Sequence, residues 1–290
     1  MGGAAGSAGQ GGAGGVGGAA GSAGQGGAGG AGGDTPAPMG LLAHVPFDGA
    51  AGVLHNLPVG AGFAGNWEVQ NNAVMQPGYS VAVTTPLTFS TLASSASYAS
   101  GGLAYQSSGV RLDTSLTGPF SGYVTGAEPG LGLPGTTLWV SGLLRKEAGS
   151  GEGLVMVSFH GHGVATLHDG EQSAVAVGYF GMPSNANGKK YWTLRLGKSE
   201  FHPTTVEVVE GQAVFFVASI AFNNTSSVSL FINPASLGGV APATPTITKT
   251  TTSPLAIRSV SFLAGNDPGQ ASFDELRMGT SYESVTPVKR

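Results

Sequence analysis

From Met39 onward the chain is cut into short apolar runs rich in Val, Phe, Leu and Thr, separated by Gly, Pro, Asn and Ser. Runs of this length suit strands, because a helix needs several turns of sustained 3.6-residue periodicity to bury a stripe. Few segments show that periodicity. Where a run can be phased, its period is two. In Thr136–Arg145 (TTLWVSGLLR), Leu138, Val140 and Leu144 fall on one side and Trp139, Ser141 and Arg145 on the other. In Gly153–Phe159 (GLVMVSF), Val155, Val157 and Phe159 line up opposite Met156, Ser158 and the following His160. Tyr191–Leu196 (YWTLRL) is expected to bury Trp192, Leu194 and Leu196 and to expose Tyr191, Thr193 and Arg195. Ser227–Ile232 turns Val228, Leu230 and Ile232 inward, and Ala213–Phe222 (AVFFVASIAF) is apolar on both faces, as suits a strand covered on both sides. Thr204–Glu210 and Leu255–Leu263 read as two more strands, Ser94–Ser100 (SSASYAS) as a loop, and Ala241–Pro254 as a long Thr/Pro surface loop. Many short strands with turn residues between them predict an all-β sandwich or barrel.

The first part of the chain is of another kind. Ala4–Gly18 and Ala19–Gly33 are tandem copies of 15 residues that differ only at Val16 and Ala31, and Gly recurs at every third position from Gly3 to Gly33. A triplet glycine is the mark of collagen, but collagen also needs abundant Pro at the other positions, and here there is none. Glycine loses the most backbone entropy on ordering, and no large side chain is present to offset it. Residues 1–38 therefore read as a disordered Gly/Ala-rich linker closed by DTPAP (Asp34–Pro38), ahead of one folded domain over 39–290. A segment of this kind serves as a tether between an anchor and a domain. No signal peptide precedes it, so the chain is either a processed form of an exported protein or is not exported, and the tether reading favours the processed form.

Only 10% of the 290 residues are charged, and the net charge is −4. The 12 Lys and Arg are scattered and form no basic patch, which argues against nucleic acid as a partner. Cysteine is absent, which excludes disulfides, zinc–thiolate sites and cysteine nucleophiles. A domain this large can bury a core without such staples, so export remains compatible with the composition. No apolar run is long enough to span a membrane as a helix.

Three stretches carry a resemblance to a known family. The first is LLAHVPFDG (Leu41–Gly49), continuing to AGFAGNW (Ala61–Trp67). The second is LFINP (Leu230–Pro234), followed by the Pro/Thr segment. The third is FDELRMGTSYESVTPV (Phe273–Val288). In this order and spacing they resemble the LamG-like domains of bacterial secreted and surface proteins, over Met39–Val288. The resemblance implies a concanavalin A-like jelly roll, with two antiparallel sheets face to face, one of them concave. It implies that the first strand (Leu41–Phe47) lies near the last (Phe273–Gly279). It also implies a secreted or cell-surface recognition or adhesion module, binding a glycan or a surface protein on the concave sheet. The glycine-rich repeat is similar to linkers of exported proteins in high-GC soil bacteria.

Catalysis finds little support in the residues. Glucan hydrolases on this fold place two carboxylates on one strand in a Glu-x-Asp-x-x-Glu pattern, and retaining hydrolysis needs two carboxyl groups about 5 Å apart. Glu207 and Glu210 differ by three positions, and Asp274 and Glu275 by one, so each pair is expected to point to opposite faces. These four read as surface charges and a structural aspartate at a strand end. No G-x-S-x-G elbow and no phosphate-binding G-x-x-x-x-G-K-[ST] loop occurs. A polysaccharide-acting enzyme or accessory unit is the alternative to a non-catalytic module, and an envelope component assembling through the Gly-rich segment is a third reading.

Binding chemistry leaves several candidates. Trp139, with Ser141 and Arg145 on its face, forms the patch best suited to stacking and hydrogen bonding a sugar, and Trp67 and Tyr179 supplement it. Trp192 phases with the core. His160, His162 and His168, with Asp169 and Glu171, could approach one another in a hairpin and hold a borderline metal, although Gly161 suggests a turn between the first two. Calcium stabilises many lectin-like sandwiches through oxygen ligands, and Asp48, Asp113 and Asp267 are loop aspartates of the right kind. The alternative for each is turn capping. NNTS (Asn223–Ser226) fits a glycosylation acceptor and, more simply, a hairpin turn.

Overall fold

In a computed structural model of the chain, the structure describes residues 39–48, 52–70, 80–82, 86–101, 106–125, 130–149, 151–161, 173–181, 188–265 and 270–289. Residues 1–38, expected from the sequence to be a Gly-rich linker, lie outside them. The described residues form two antiparallel sheets packed as a jelly-roll sandwich.

The nine-stranded sheet runs β14 (Ile247–Thr250), β13 (Ser227–Ile232), β12 (Ala213–Ala221), β7 (Thr137–Lys146), β16 (Ala271–Gly279), β5 (Tyr98–Gly101), β4 (Ser80–Ala82) and β2 (Gly52–Val53), with β1 (Leu41–Val45) also paired to β16. The seven-stranded sheet runs β11 (Glu200–Glu207), β10 (Tyr191–Leu196), β9 (Ser173–Tyr179), β8 (Leu154–His160), β15 (Ser259–Gly265), β6 (Gln106–Leu112) and β3 (Phe63–Gln70). The first and last strands pair from Leu41↔Gly279 to Val45↔Leu276, so both ends of the domain leave from the same sheet. One short helix, α1 (Tyr282–Val285), follows β16, capped by Ser281 and Ser284 in a reciprocal capping box.

Side chains of period two from both sheets fill the space between them. Leu138, Val140 and Leu144 of β7 meet Val155, Val157 and Phe159 of β8 and Trp192, Leu194 and Leu196 of β10 in one core. β12 is buried on both faces: Val214, Phe216, Ala218 and Ile220 join that core, while Phe215 and Val217 join a second cluster outside the sheet. Gly178 is a close approach between strands, since a Cβ there would lie 2.1 Å from the Val155 carbonyl oxygen. Asn223–Ser226 is the turn between β12 and β13, with the Asn223 N–H donating to Ser226 Oγ at 3.4 Å.

Four boundaries depart from the sequence expectations. The strand expected over Thr204–Glu210 runs from Glu200 to Glu207, and that expected over Leu255–Leu263 runs from Ser259 to Gly265. The Ser94–Ser100 segment passes into β5 at Tyr98. The Thr/Pro segment contains the edge strand β14, held to β13 by backbone pairing and by Ser229 and Thr248 hydroxyls 2.9 Å apart. Threonine is a good strand former where a partner strand is present, and that partner is invisible in a local reading.

Candidate functional site

The patch built on Trp139 does not form an open groove. Trp139 lies on the outer face of the nine-stranded sheet, where it stacks on Phe231 with the ring centroids 6.2 Å apart and meets Tyr282 edge-on at 5.6 Å. Ser141 is fully buried and donates its hydroxyl hydrogen to the Val285 carbonyl at 2.7 Å. Arg145 pairs with Glu147 at 2.7 Å and packs against the Tyr98 ring. The cover comes from Leu87, Phe89 and Leu92 on one side and Tyr282 and Val285 of α1 on the other. Burial raises the Tyr282 hydroxyl to about 12. Trp67 is 2% exposed inside the sandwich, stacked on Phe47 with Phe262 beside it, so it packs the core and offers no ligand face. Trp67 and Trp139 belong to different sheets and form no common site. Tyr179 is also core, its hydroxyl donating to Glu152 at 2.6 Å.

The carboxylates of the last strand are not surface charges. Asp274 and Glu275 are 2% and 1% exposed. A bulge in β16 between Asp274 and Arg277 places Glu275 at φ 55°, and it turns both acids toward Ser95. Ser95 donates its hydroxyl to Asp274 Oδ1 at 3.1 Å and its backbone N–H to Glu275 Oε1. Glu275 also receives Arg277 and the His44 ring, the latter at 2.7 Å. Arg277 donates further to the Ala93 carbonyl at 2.6 Å. Burial, then the neighbouring Glu275 charge, pushes Asp274 up to about 9, which keeps it protonated at neutral pH. Glu275 is held below its usual range: burial opposes this, but the His44 hydrogen bond and the Arg277 charge outweigh it. The cluster ties β1, β16 and the segment near Ser95 together.

That arrangement also bears on calcium. The oxygens of Glu275 are already taken by Arg277, His44 and Ser95. Asp48 accepts the Ala96 N–H at 3.2 Å, and Asp113 accepts the Ser115 N–H at 3.0 Å, as turn-capping aspartates do. Among the described residues no group of three His, Asp or Glu side chains could hold a metal ion. His162, His168 and Asp267 lie outside the described residues. His160 is fully buried, with Nε2 at 2.7 Å from Ser261 Oγ.

The outer face of the seven-stranded sheet is different in chemistry. Pairing aligns three rows across it. One row is Ser107, Leu263, Met156, Gly178, Thr193 and Pro203; the next is Gly109, Ser261, Ser158, Ala176, Arg195 and Phe201; the third joins Arg111, Ser259 and His160. Leu154, Met156, Leu263 and Ala176 form an apolar half, packed against Phe180. Ser158, Ser259, Ser261 and His160 form a polar half. Arg195 lies against the Phe180 and Phe201 rings, 5.4 and 5.7 Å from their centroids. Arg195 and Thr193, expected to be exposed, are 6% and 7% exposed and belong to the floor of this face. The Ser107 and Ser158 hydroxyls are buried and have no hydrogen-bonding partner among the described residues. An unsatisfied buried hydroxyl costs about 1–3 kcal/mol.

The five inner strands of this sheet, β10, β9, β8, β15 and β6, carry no Asp or Glu. Carboxylates occur only on the edges: Glu68 on β3, 3.5 Å from Arg111, and Glu200 and Glu207 on β11. The alternation of Met156, Ser158 and His160 was legible in the sequence, but their alignment with Ser107, Ser259 and Ser261 was not, because those residues lie far away along the chain on other strands.

No family model matches the chain, and no curated protein is similar to it in sequence. Among solved structures it is similar to the globular domain of T. cruzi calreticulin, with TM-score 0.52 and 11% identity over 84% of this chain and 90% of that one. It is also similar to an endo-β-1,4-glucuronan lyase from the fungus Trichoderma reesei, with TM-score 0.43 and 12% identity over 72% and 91% of the two chains. Domain 4 of the arabinanase AbnA from Geobacillus stearothermophilus, solved with arabinotriose, gives TM-score 0.43 and 16% identity over 85% and 97%. The first likeness shows a shared fold.

Proposed function

We propose that the chain is a non-catalytic recognition module of the LamG-like kind that binds glycan on the outer face of its seven-stranded sheet. The observation that carries this reading is the composition of that face: small and hydroxylated side chains flanked by Leu154, Met156, Leu263 and Phe180, with arginine at both sides. Sugars present hydroxyls along one edge and C–H groups on a ring face, and a floor that is half polar and half apolar can meet both. The lack of carboxylates on the five inner strands supports binding over hydrolysis, because glycoside hydrolysis uses a pair of them in most families.

A secreted or cell-surface setting in a bacterium, with residues 1–38 as a tether, rests on the Gly-rich repeat and the family resemblance. Among the described residues no helix is long and apolar enough to cross a membrane. The test is a glycan array probed with the purified full chain, paired with an assay for released reducing ends or unsaturated products. Binding without turnover is expected. Turnover of any bound polysaccharide would make the chain an enzyme, and binding to no glycan would remove the reading.

A further inference from the structure

We infer that residues 86–97, which roof the outer face of the nine-stranded sheet, form a strap that is latched by the acid cluster on β16 and lifts when Asp274 loses its proton. The apolar part of the strap is Leu87, Phe89 and Leu92, in one cluster with Phe215, Val217 and Phe231, and Phe89 stacks on Phe215 with ring centroids 5.5 Å apart. One side is tied to the end of the chain. Leu92 bridges Val288, the Ala93 N–H donates to the Pro287 carbonyl at 2.9 Å, and the Lys289 N–H donates to the Thr91 carbonyl at 2.8 Å. Within the strap Ser90 sits at φ 47°, left-handed backbone that serine adopts at a cost, so the segment depends on its partners to keep this course.

The latch is made by ionisable side chains. Arg277 donates to the Ala93 carbonyl at 2.6 Å, the Ser95 hydroxyl donates to Asp274 at 3.1 Å, the Ser95 N–H to Glu275, and the Ala96 N–H to Asp48 at 3.2 Å. Hydrogen bonds of this kind change in strength with the charge of the partner. Asp274, Glu275 and Arg277 are all nearly fully buried, and their charges balance only while one acid keeps its proton. Asp274 is that acid: its Oδ2 is buried with no hydrogen-bonding partner among the described residues, whereas Glu275 receives both Arg277 and His44. Asp48, beyond β1, adds a further carboxylate beside Glu275 and His44. From β7, Leu143 lies opposite Asp274, and Arg145, two residues on, is engaged by Glu147. From β5 the titratable group is Tyr98, whose ring lies against Arg145.

Ionised Asp274 puts a second negative charge beside Glu275, in a buried site with one guanidinium. Lifting the strap returns water to both carboxylates and relieves the repulsion. The closed form holds the Asp274 proton up to about 9, through burial and then the Glu275 charge, and the open form releases it near the ordinary 3.8. Closure is therefore favoured fully below about pH 4 and loses ground as pH rises toward 9. Asp48, raised by partial burial, works in the same direction. Glu275 works in the other: burial opposes its ionisation, but His44 and Arg277 hold it below its ordinary 4.5, so it supports closure above that value and fails only in stronger acid. The strap is tightest in mild acid and loosens through neutral pH, uncovering the Phe215 ring.

The experiment is amide hydrogen exchange of the full chain, read by mass spectrometry at pH 5 and pH 8, with each rate divided by the intrinsic rate of a free amide at that pH. The strap amides of Ala93, Ser95 and Ala96 are compared with those of β7 and β12. The strap should open at least about tenfold more readily at pH 8 than at pH 5, while the β7 and β12 amides change by less than about threefold. Asp274→Asn keeps the shape of the protonated acid and has no proton to release, so the rise in its strap should fall below about threefold. His44→Gln keeps a donor for Glu275 and should leave the response intact. A response shared equally by strap and core amides, no response at all, the full response in folded Asp274→Asn, or its loss in folded His44→Gln overturns the inference. The comparison of strap with core needs only the parent protein, so it decides the matter whether or not the variants fold.

Discussion

The two sheets present outer faces of opposite character. On the nine-stranded sheet, Trp139, Phe215, Val217 and Phe231 are roofed by Leu87, Leu92, Tyr282 and Val285, and Ser141 is tied to that roof through the Val285 carbonyl. On the seven-stranded sheet, the aligned side chains are mainly Ser, Gly, Ala and Thr, with a small apolar cluster around Met156. Both faces are withdrawn from solvent, but for different reasons. Aromatic packing offsets the conformational entropy of holding the roof in place. Buried serines without partners offset nothing and cost stability. A feature that costs stability is a better pointer to function than one that supplies it.

The comparison can be broken by substitution, beginning with the largest effect. Arg277→Met leaves Glu275 buried with only His44 and Ser95 to meet it, and should cost about 3–5 kcal/mol in urea unfolding. An effect below 1 kcal/mol would mean that the cluster on β16 does not hold β1 in place. Trp139→Ala removes the aromatic contact to Phe231 and Tyr282 and should cost about 2–4 kcal/mol, with saccharide binding of the folded protein unchanged. Loss of binding without loss of stability would reverse the roles assigned to the two faces.

Protonation sharpens the same contrast. Asp274 is raised to about 9 in the folded protein against 3.8 for the ordinary group. The folded state therefore retains a proton that the unfolded chain releases, and its stabilising contribution is full below about pH 4 and lost as pH rises toward 9. Asp274→Asn cannot release that proton. Its stability should decline less between pH 5 and 8 than that of the parent, by at least about 1 kcal/mol, as read from urea midpoints at the two pH values. Parallel pH profiles would show that Asp274 is ionised in the fold.

The smallest effect should fall on the seven-stranded sheet. Ser158→Ala deletes a buried hydroxyl with no partner among the described residues, so thermal stability should stay level or rise by up to about 1 kcal/mol. Glycan affinity should fall in the same variant. A drop in stability would identify a structural partner for the Ser158 hydroxyl and weaken its assignment to the ligand.

Much of the sandwich was legible before any coordinates. Alternation in β7, β8, β10 and β13 places the core residues correctly, and the two-faced burial of β12 follows from its unbroken apolar run. The pairing of β1 with β16 was implied by the family resemblance. The candidate site was legible only in part. Trp139, Ser141 and Arg145 do share one face of β7, but the sequence holds no local sign of the roof, because Leu87 and Tyr282 lie far from them along the chain. Trp67 reads from the sequence as a supplement to the Trp139 patch and sits in the core, since its neighbours Phe47 and Phe262 come from distant segments.

What the sequence by itself determined is the period of two, and with it the strands, their inward faces and the all-β class. Those depend on local backbone geometry, which places alternate side chains on opposite faces wherever a strand forms. The tertiary structure decided everything that depends on two distant strands meeting. It set Ser158 beside Ser261 and His160 beside Ser259, and it closed a roof over Trp139. It also overrode local alternation at one place, where the bulge at Glu275 turned two adjacent carboxylates to the same serine. Alternation is a property of a regular strand, and a bulge is fixed by the partner strand against which the extra residue must be accommodated.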